Sequence, residues 1–319
     1  MSKYYTRACN FYYGKSSLEM LKKKKALSLH GNKELSFDTV EILSRKKKRK
    51  ININIINSLS FGLKKKIKKD LKKITKKKSF CKISLKEPLL IGILNLTPDS
   101  FSDGGQYNQI DSALKRVKSL LKSGCKIVDV GGESTRPGSE DVDENIEWKR
   151  IKNLLKRIRN YKLLLSLDTR KTFVMHKALR YKLNIVNDVS GFSYDTKTID
   201  FLKKTKLPLI INHSKGEPKT MQRKPSYKNV LLEIYDFFEK KIELLRKAGI
   251  KHNNIILDPG IGFGKNLKHN ITIMNNISIF HSLGCLLYTS PSPRDSWAGG
   301  FAGCGFKKKR GGGGGGGGG

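Results

Sequence analysis

From residue 88 onward, short apolar runs alternate with longer stretches in which apolar residues recur every three to four positions. The runs fall at 89–96, 126–130, 163–167, 184–186, 207–211 and 254–257, each bounded by loop-forming residues, the pattern of buried strands in a parallel sheet. Helical periodicity covers 109–123, 142–160, 170–182, 195–205, 227–248 and 267–283. Six consecutive strand-then-helix units predict a parallel α/β fold, either doubly wound or wrapped into a barrel. The polar residues favour the barrel. Every strand runs out into a polar cluster: Asn95 to Asp99, Asp129 to Gly138, Asp168 to Arg170, Asn187-Asp188, Asn212-His213 and Asp258 to Gly260. In a barrel all these ends open on one face, whereas an open sheet gathers only the ends beside its switch point. The expected architecture is a TIM (β/α)8 barrel, incomplete here at about six βα units, behind a basic N-terminal extension.

Upstream, the alternation from Ile51 to Ile55 predicts a half-buried strand, and Leu63, Ile67, Leu71 and Ile74 mark the apolar face of a lysine-rich helix. The formal charge of +38 over 319 residues is high for a compact enzyme, and its distribution explains why. Residues 1–80 hold 24 basic against 5 acidic side chains. The stretch 286–319 holds 13 of the 30 glycines, nine of them consecutive, and has no apolar period. The chain therefore divides into a lysine-rich region without an assigned role (1–80), the barrel (85–284) and a glycine-rich tail (285–319). The cationic helix face reads first as a solvated surface; nucleic acid or an anionic membrane is the alternative, and no interleaved aromatic residues favour RNA. Five scattered cysteines without a CxxC pair fit a reduced, cytoplasmic compartment. Neither a signal peptide nor a membrane-spanning run is evident.

Several residues at the strand ends suit particular chemistry. Asn95 offers a neutral oxygen to a hard cation such as Mg²⁺, or satisfies its own loop backbone. Arg136 places a fixed donor fork beside the Thr135 hydroxyl, a pairing suited to phosphate oxygens. Asp168, Asn187 and Asp258 would face one another across the mouth, two carboxylates and an amide matching the N–H edge of a pterin or purine. A helix cap at Asp168 and an Asp-Pro-Gly turn at Asp258 are the competing readings. The run from Gly260 to Lys265 lacks P-loop spacing; its glycines instead permit a tight turn presenting Phe263 to a ring. His213 reads as structural.

Five ordered motifs then resemble one family. NLTPDSFSDGG from Asn95, GCKIVDVGGESTRPG from Gly124, SLDTRK around Asp168, VNDVSG around Asn187 and LDPGIGFGK around Asp258 are similar to the signature stretches of the dihydropteroate synthases, over residues 88–284. The resemblance implies a usually dimeric TIM barrel that condenses 6-hydroxymethyl-7,8-dihydropterin diphosphate with 4-aminobenzoate, using Mg²⁺ and releasing pyrophosphate. It implies that Asp168, Asn187 and Asp258 hold the pterin, that Thr135 and Arg136 meet the diphosphate, and that Asn95 lies at the metal. Asp168 and Arg136 are the residues expected to support the chemistry.

The resemblance stops after the sixth helix. The family continues with a Ser-Arg-Lys strand and an Arg-x-His pair, where this chain reads Cys285-Leu286-Leu287-Tyr288-Thr289-Ser290-Pro291 and then glycine-rich text resembling translated adaptor sequence. Without those residues the polypeptide as written is expected to be inactive. The rival readings are another pterin-binding barrel, such as a corrinoid-dependent methyltransferase, and a nucleic-acid-binding module fused at the N-terminus.

Overall fold

The computed structural model describes residues 3–81, 83, 85, 87–97, 106–134, 140–215 and 225–289. Thr135 and Arg136 therefore lie outside the described residues.

The lysine-rich region is a folded module. Strands β1 (Tyr5–Tyr13), β2 (Leu27–Leu29), β3 (Asn32–Leu43) and β4 (Lys48–Asn52) form an antiparallel sheet in which β3 pairs with the other three. Helix α1 (Gly14–Lys22) joins β1 to β2, and α2 (Phe61–Thr75) follows β4. The spacing of Ile67, Leu71 and Ile74 gives α2 one apolar face, which packs with Ala8, Phe37, Val40, Ile42 and Ile51 of the sheet. Each such large side chain contributes roughly 1.5–3 kcal/mol on burial. The strand expected over 51–55 stops at Asn52, whose side chain accepts the Asn54 N–H and starts a 3-10 turn over Ile53–Ser58.

The second sheet holds β5 (Ile91–Asn95), β6 (Ile127–Gly131), β7 (Leu164–Asp168), β8 (Leu183–Asp188), β9 (Leu209–Asn212), β10 (Ile255–Asp258) and β11 (Leu286–Leu287). All seven are parallel and lie in chain order. A doubly wound sheet reverses its order at a switch point; an unreversed order with one hand of crossover puts every helix on the same face, so the sheet curls as a partial barrel. The helices are α3 (Gln106–Lys122), α4 (Glu144–Ile158), α5 (Thr172–Ala178), α6 (Thr198–Thr205), α7 (Val230–Lys247) and α8 (Leu267–Asn275), the last continued by a 3-10 stretch over Ile277–Leu283. Strand β11 lies beyond the Gly284 boundary expected from sequence. Leu286 joins the inner apolar layer and Leu287 packs against the outer core, so the chain past Gly284 still obeys the alternation of a strand.

That alternation divides the barrel into two compartments. Outward residues such as Val128, Val130, Leu165, Leu167, Ile211 and Leu257 form the main core with the helices. Inward residues Ile127, Ile185, Ile210 and Ile256 form a lower apolar layer closed by Phe80 from the segment after α2. Above this layer the inward positions become polar.

The module rests on the outside of the barrel. Tyr5 belongs to the barrel's own core and donates its hydroxyl to Asp236 of α7, and Ser278 Oγ donates to the Ala8 carbonyl at 2.8 Å.

Candidate active site

The polar layer is built by register. Asp168 pairs directly with Asn187 across β7 and β8, and Asn212 pairs with Asp258 across β9 and β10. The structure thus brings the three expected recognition residues onto the inward face at the strand ends. It also supplies the link between them. Asp129 of β6, two residues before Gly131 and so on the same face, accepts from Asn187 Nδ2 at 2.8 Å. Asn212 Nδ2 donates to Asp258 Oδ2 at 3.0 Å, and the Gly260 N–H donates to Asp258 Oδ1 at 2.8 Å.

These carboxylates crowd one another in a buried place. Burial raises the Asp168 carboxyl well above its ordinary value, and the charge of Asp129 raises it further. Asp129 is likewise raised, by burial and by Asp258, against the Ser166 hydroxyl and the Asn187 amide beside it. Tyr288, just past β11, joins the inner layer and has its phenol pushed up by burial and then by Asp129, Asp258 and Asp168.

The buried groups left over at the mouth are mostly acceptors. Because the amide nitrogens of Asn187 and Asn212 are directed at carboxylates, their oxygens are turned away from them. Asn95 Oδ1, Asp129 Oδ1, Asn187 Oδ1 and Asn212 Oδ1 are all buried without a hydrogen-bond partner among the described residues, and so is the Ser166 hydroxyl, which faces inward opposite Asp129. A buried cluster of acceptors fits a flat ligand edge rich in N–H groups.

The glycine turn after β10 is set by close approach. A Cβ at Gly260, at φ +65, would come within 2.2 Å of the His213 carbonyl oxygen, and one at Gly264, at φ +60, within 2.6 Å of the Lys215 carbonyl oxygen. Phe263 lies half-buried in that turn. Lys265 locks it, donating to the carbonyls of His213 at 2.9 Å and Phe263 at 2.8 Å; burial lowers its ammonium to about 7 despite Asp258. His213 points away from the mouth into Phe237, Phe238 and Tyr227, where burial, then Lys265, drives its pKa down to about 3. It packs as a neutral ring.

Asp129 and Asn212 stand in the polar strand-end clusters read from sequence but, like Lys265, were given no role there. Inward parity was the available signal for the first two. Asp129 sits an even number of residues before Gly131 inside an otherwise apolar strand, and Asn212 occupies the same inward position on β9.

The sequence profile of the family described as "Pterin binding enzyme" matches residues 91–310. The dihydropteroate synthase of Haemophilus influenzae is 38% identical over 203 residues, 63% of this chain and 74% of that protein. Among solved structures, the dihydropteroate synthase of Yersinia pestis with a sulfonamide drug complex aligns with a TM-score of 0.61 at 38% identity, over 65% of this chain and 75% of that one. The Xanthomonas albilineans dihydropteroate synthase in complex with 7,8-dihydropteroate aligns with a TM-score of 0.57 at 28% identity, over 65% and 73%.

Proposed function

The chain belongs to the pterin-binding enzyme family, and from that premise we propose that its function is dihydropteroate synthesis in the folate pathway, a transferase reaction. One observation carries the reading: four buried acceptors at strand-end positions of the inward face have no hydrogen-bond partner among the described residues. The N–H and amino groups of a dihydropterin supply the donors they lack. Asp168, Asn187 and Asp258 hold the ring, with Asp129 and Asn212 completing the acceptor set.

The reaction breaks the bond between the pterin methylene carbon and the diphosphate oxygen, the bonding pair leaving with pyrophosphate. The amine of 4-aminobenzoate then attacks that carbon and gives up one proton to solvent. Positive charge left on the bound pterin methylene as pyrophosphate departs is stabilised by the surrounding carboxylates, so cleavage can run ahead of attack. Thr135 and Arg136 meet the diphosphate, and Phe263 borders the ring.

The donor set also suits Mg²⁺ held mainly by diphosphate and water. Asn95 Oδ1 is a buried, unpartnered neutral oxygen at a strand end, and no group of three or more His, Cys, Asp or Glu poised for a metal occurs among the described residues. Asn95 would hold the ion, which when bound supplies positive charge at the leaving oxygens. A homodimer and a cytoplasmic setting complete the proposal; the free described cysteines support the latter, and no helix among the described residues is long and apolar enough to cross a membrane. We assign no nucleic-acid partner.

Titration of the chain with 6-hydroxymethyl-7,8-dihydropterin diphosphate, followed by pterin fluorescence, tests the mouth. Saturable binding is expected. Absence of binding by folded chain overturns the function.

A further inference from the structure

Asn212 stands at the mouth with its amide already committed. Its Nδ2 donates to Asp258 Oδ2 at 3.0 Å, and the other oxygen of that carboxylate takes the Gly260 N–H at 2.8 Å. On the main chain, the His213 N–H donates to the Asp258 carbonyl at 2.9 Å, so side chain and backbone are both tied to β10 here. Turning the amide over would set its oxygen against the Asp258 carboxylate, acceptor to acceptor, between two buried residues. The orientation is therefore fixed, and the group Asn212 shows to a ligand is its oxygen.

That oxygen is buried and has no hydrogen-bond partner among the described residues. A Cβ at Gly260 would crowd it at 3.1 Å, so the bare glycine keeps its surroundings open. Asn187 is set in the same way: its nitrogen is held by Asp129 Oδ2 at 2.8 Å and its oxygen is unpartnered among the described residues. Asp129 lies one inward step below the row formed by Gly131, Asp168 and Asn187, where it serves to hold Asn187.

A pterin ring exists in redox states that differ at this kind of contact. The 7,8-dihydro ring carries four N–H bonds, two on the 2-amino group and one each at N3 and N8; the oxidised ring carries three and has a lone pair at N8. The three bonds common to both states match the three ring-holding residues, Asp168, Asn187 and Asp258. The acceptor beyond them, Asn212, matches the one bond that only the dihydro state has. A free amide could turn to donate to an N8 lone pair, whereas one held by Asp258 cannot. We infer that Asn212 is a specificity-determining residue whose fixed oxygen takes the N8–H and so selects the 7,8-dihydro ring over the oxidised one. The inference rests on the proposed function and adds to it the redox state that the mouth admits.

Equilibrium dialysis of the whole chain under argon tests this, with 6-hydroxymethyl-7,8-dihydropterin and its oxidised counterpart 6-hydroxymethylpterin as the two ligands. Neither carries a diphosphate, so only recognition of the ring is read. The parent should bind the dihydro ring more tightly by about tenfold to a hundredfold, since the oxidised ring leaves a buried acceptor facing a lone pair. Asn212→Leu, close in size and without the oxygen, should bring the two affinities to within about threefold of each other. Asn212→Ala should do the same, because water in the space can donate to a lone pair as readily as it accepts from an N–H. The ratio is taken within one protein, so a partly unfolded preparation lowers the amount bound for both ligands and leaves the ratio alone. Equal binding of both rings by the parent, or a ratio unchanged in the two variants, overturns the inference and leaves the proposed function standing. A parent that binds neither ring overturns both.

Discussion

At the barrel mouth, Asn95, Asp129, Asn187 and Asn212 each keep a buried oxygen without a partner among the described residues; where the N-terminal module meets the barrel, His30 and His281 each keep a ring nitrogen in the same condition. Per atom the cost is similar, about 1–3 kcal/mol on mutational scales. The surroundings are not. The mouth oxygens come from inward positions on four strands and are acceptors, with the Ser166 hydroxyl in the same layer. The two imidazoles face each other, ring edge to ring face, with centroids 4.6 Å apart. One group is shaped for a missing molecule; the other is closed by packing. An unpartnered buried atom therefore indicates a site only when its neighbours share its polarity and direction.

Acid should separate the two regions most strongly. His30 is lowered to about 4 and His281 to about 3, in both cases chiefly because burial disfavours the imidazolium. The unfolded chain takes up protons below the ordinary 6.5, before the folded chain does, so the stability these neutral rings carry is complete above 6.5 and lost as pH falls toward 4. The loss is on the order of 2 kcal/mol for each ring by about pH 5. The mouth responds with the opposite sign: the raised pKa values of Asp129 and Asp168 mean that the folded chain binds protons first there. Urea unfolding of the parent and of His281→Phe at pH 7 and pH 5 isolates the junction. The variant should lose about 2 kcal/mol less on acidification; identical pH dependence in both proteins would remove the contrast.

A smaller effect, on binding rather than folding, is expected from Asp168→Asn. Loss of a charged acceptor should weaken the dihydropterin diphosphate by about 1.5–3 kcal/mol, roughly tenfold to a hundredfold. Stability should hold or rise, because a buried carboxylate beside Asp129 is removed. Loss of stability in step with loss of affinity would show that the mouth, like the junction, is only packing.

The barrel was legible because its strands alternate so regularly: observed limits fall within about two or three residues of those read from apolar runs. The unreversed strand order could not be read directly, yet the polar strand ends pointed to it. Asp129 was seen as the start of a polar cluster but given no role, because a single acid in Ile127-Val128-Asp129-Val130 does not disturb an apolar run and its inward parity becomes visible only once the register is known. Leu286–Leu287 is too short to announce a strand without β10 beside it. The N-terminal module was the least legible. Its central strand β3 carries Glu34, Asp38 and Glu41 among its apolar residues, and its identity depends on pairings with β1 and β4 that local pattern does not encode.

The smallest effect concerns the feature most conspicuous in composition. Lys65, Lys68 and Lys72 lie at three- and four-residue spacings on the exposed face of α2, opposite Ile67, Leu71 and Ile74. If that cationic face is only solvated, replacing all three by Gln should change stability by no more than about 0.5 kcal/mol, with slight relief of like-charge repulsion. Pterin affinity should not change, since α2 packs by its apolar face against the module sheet, and the 3-10 stretch over Ile277–Leu283 adjoins it on the outside of the barrel. Thermal unfolding and the pterin titration, both repeated at low and at moderate salt, check this. A salt-dependent loss of pterin affinity in the triple variant would make the module's charge a partner of the mouth, and the separation between a binding region and a packing region would fail at its least expected point.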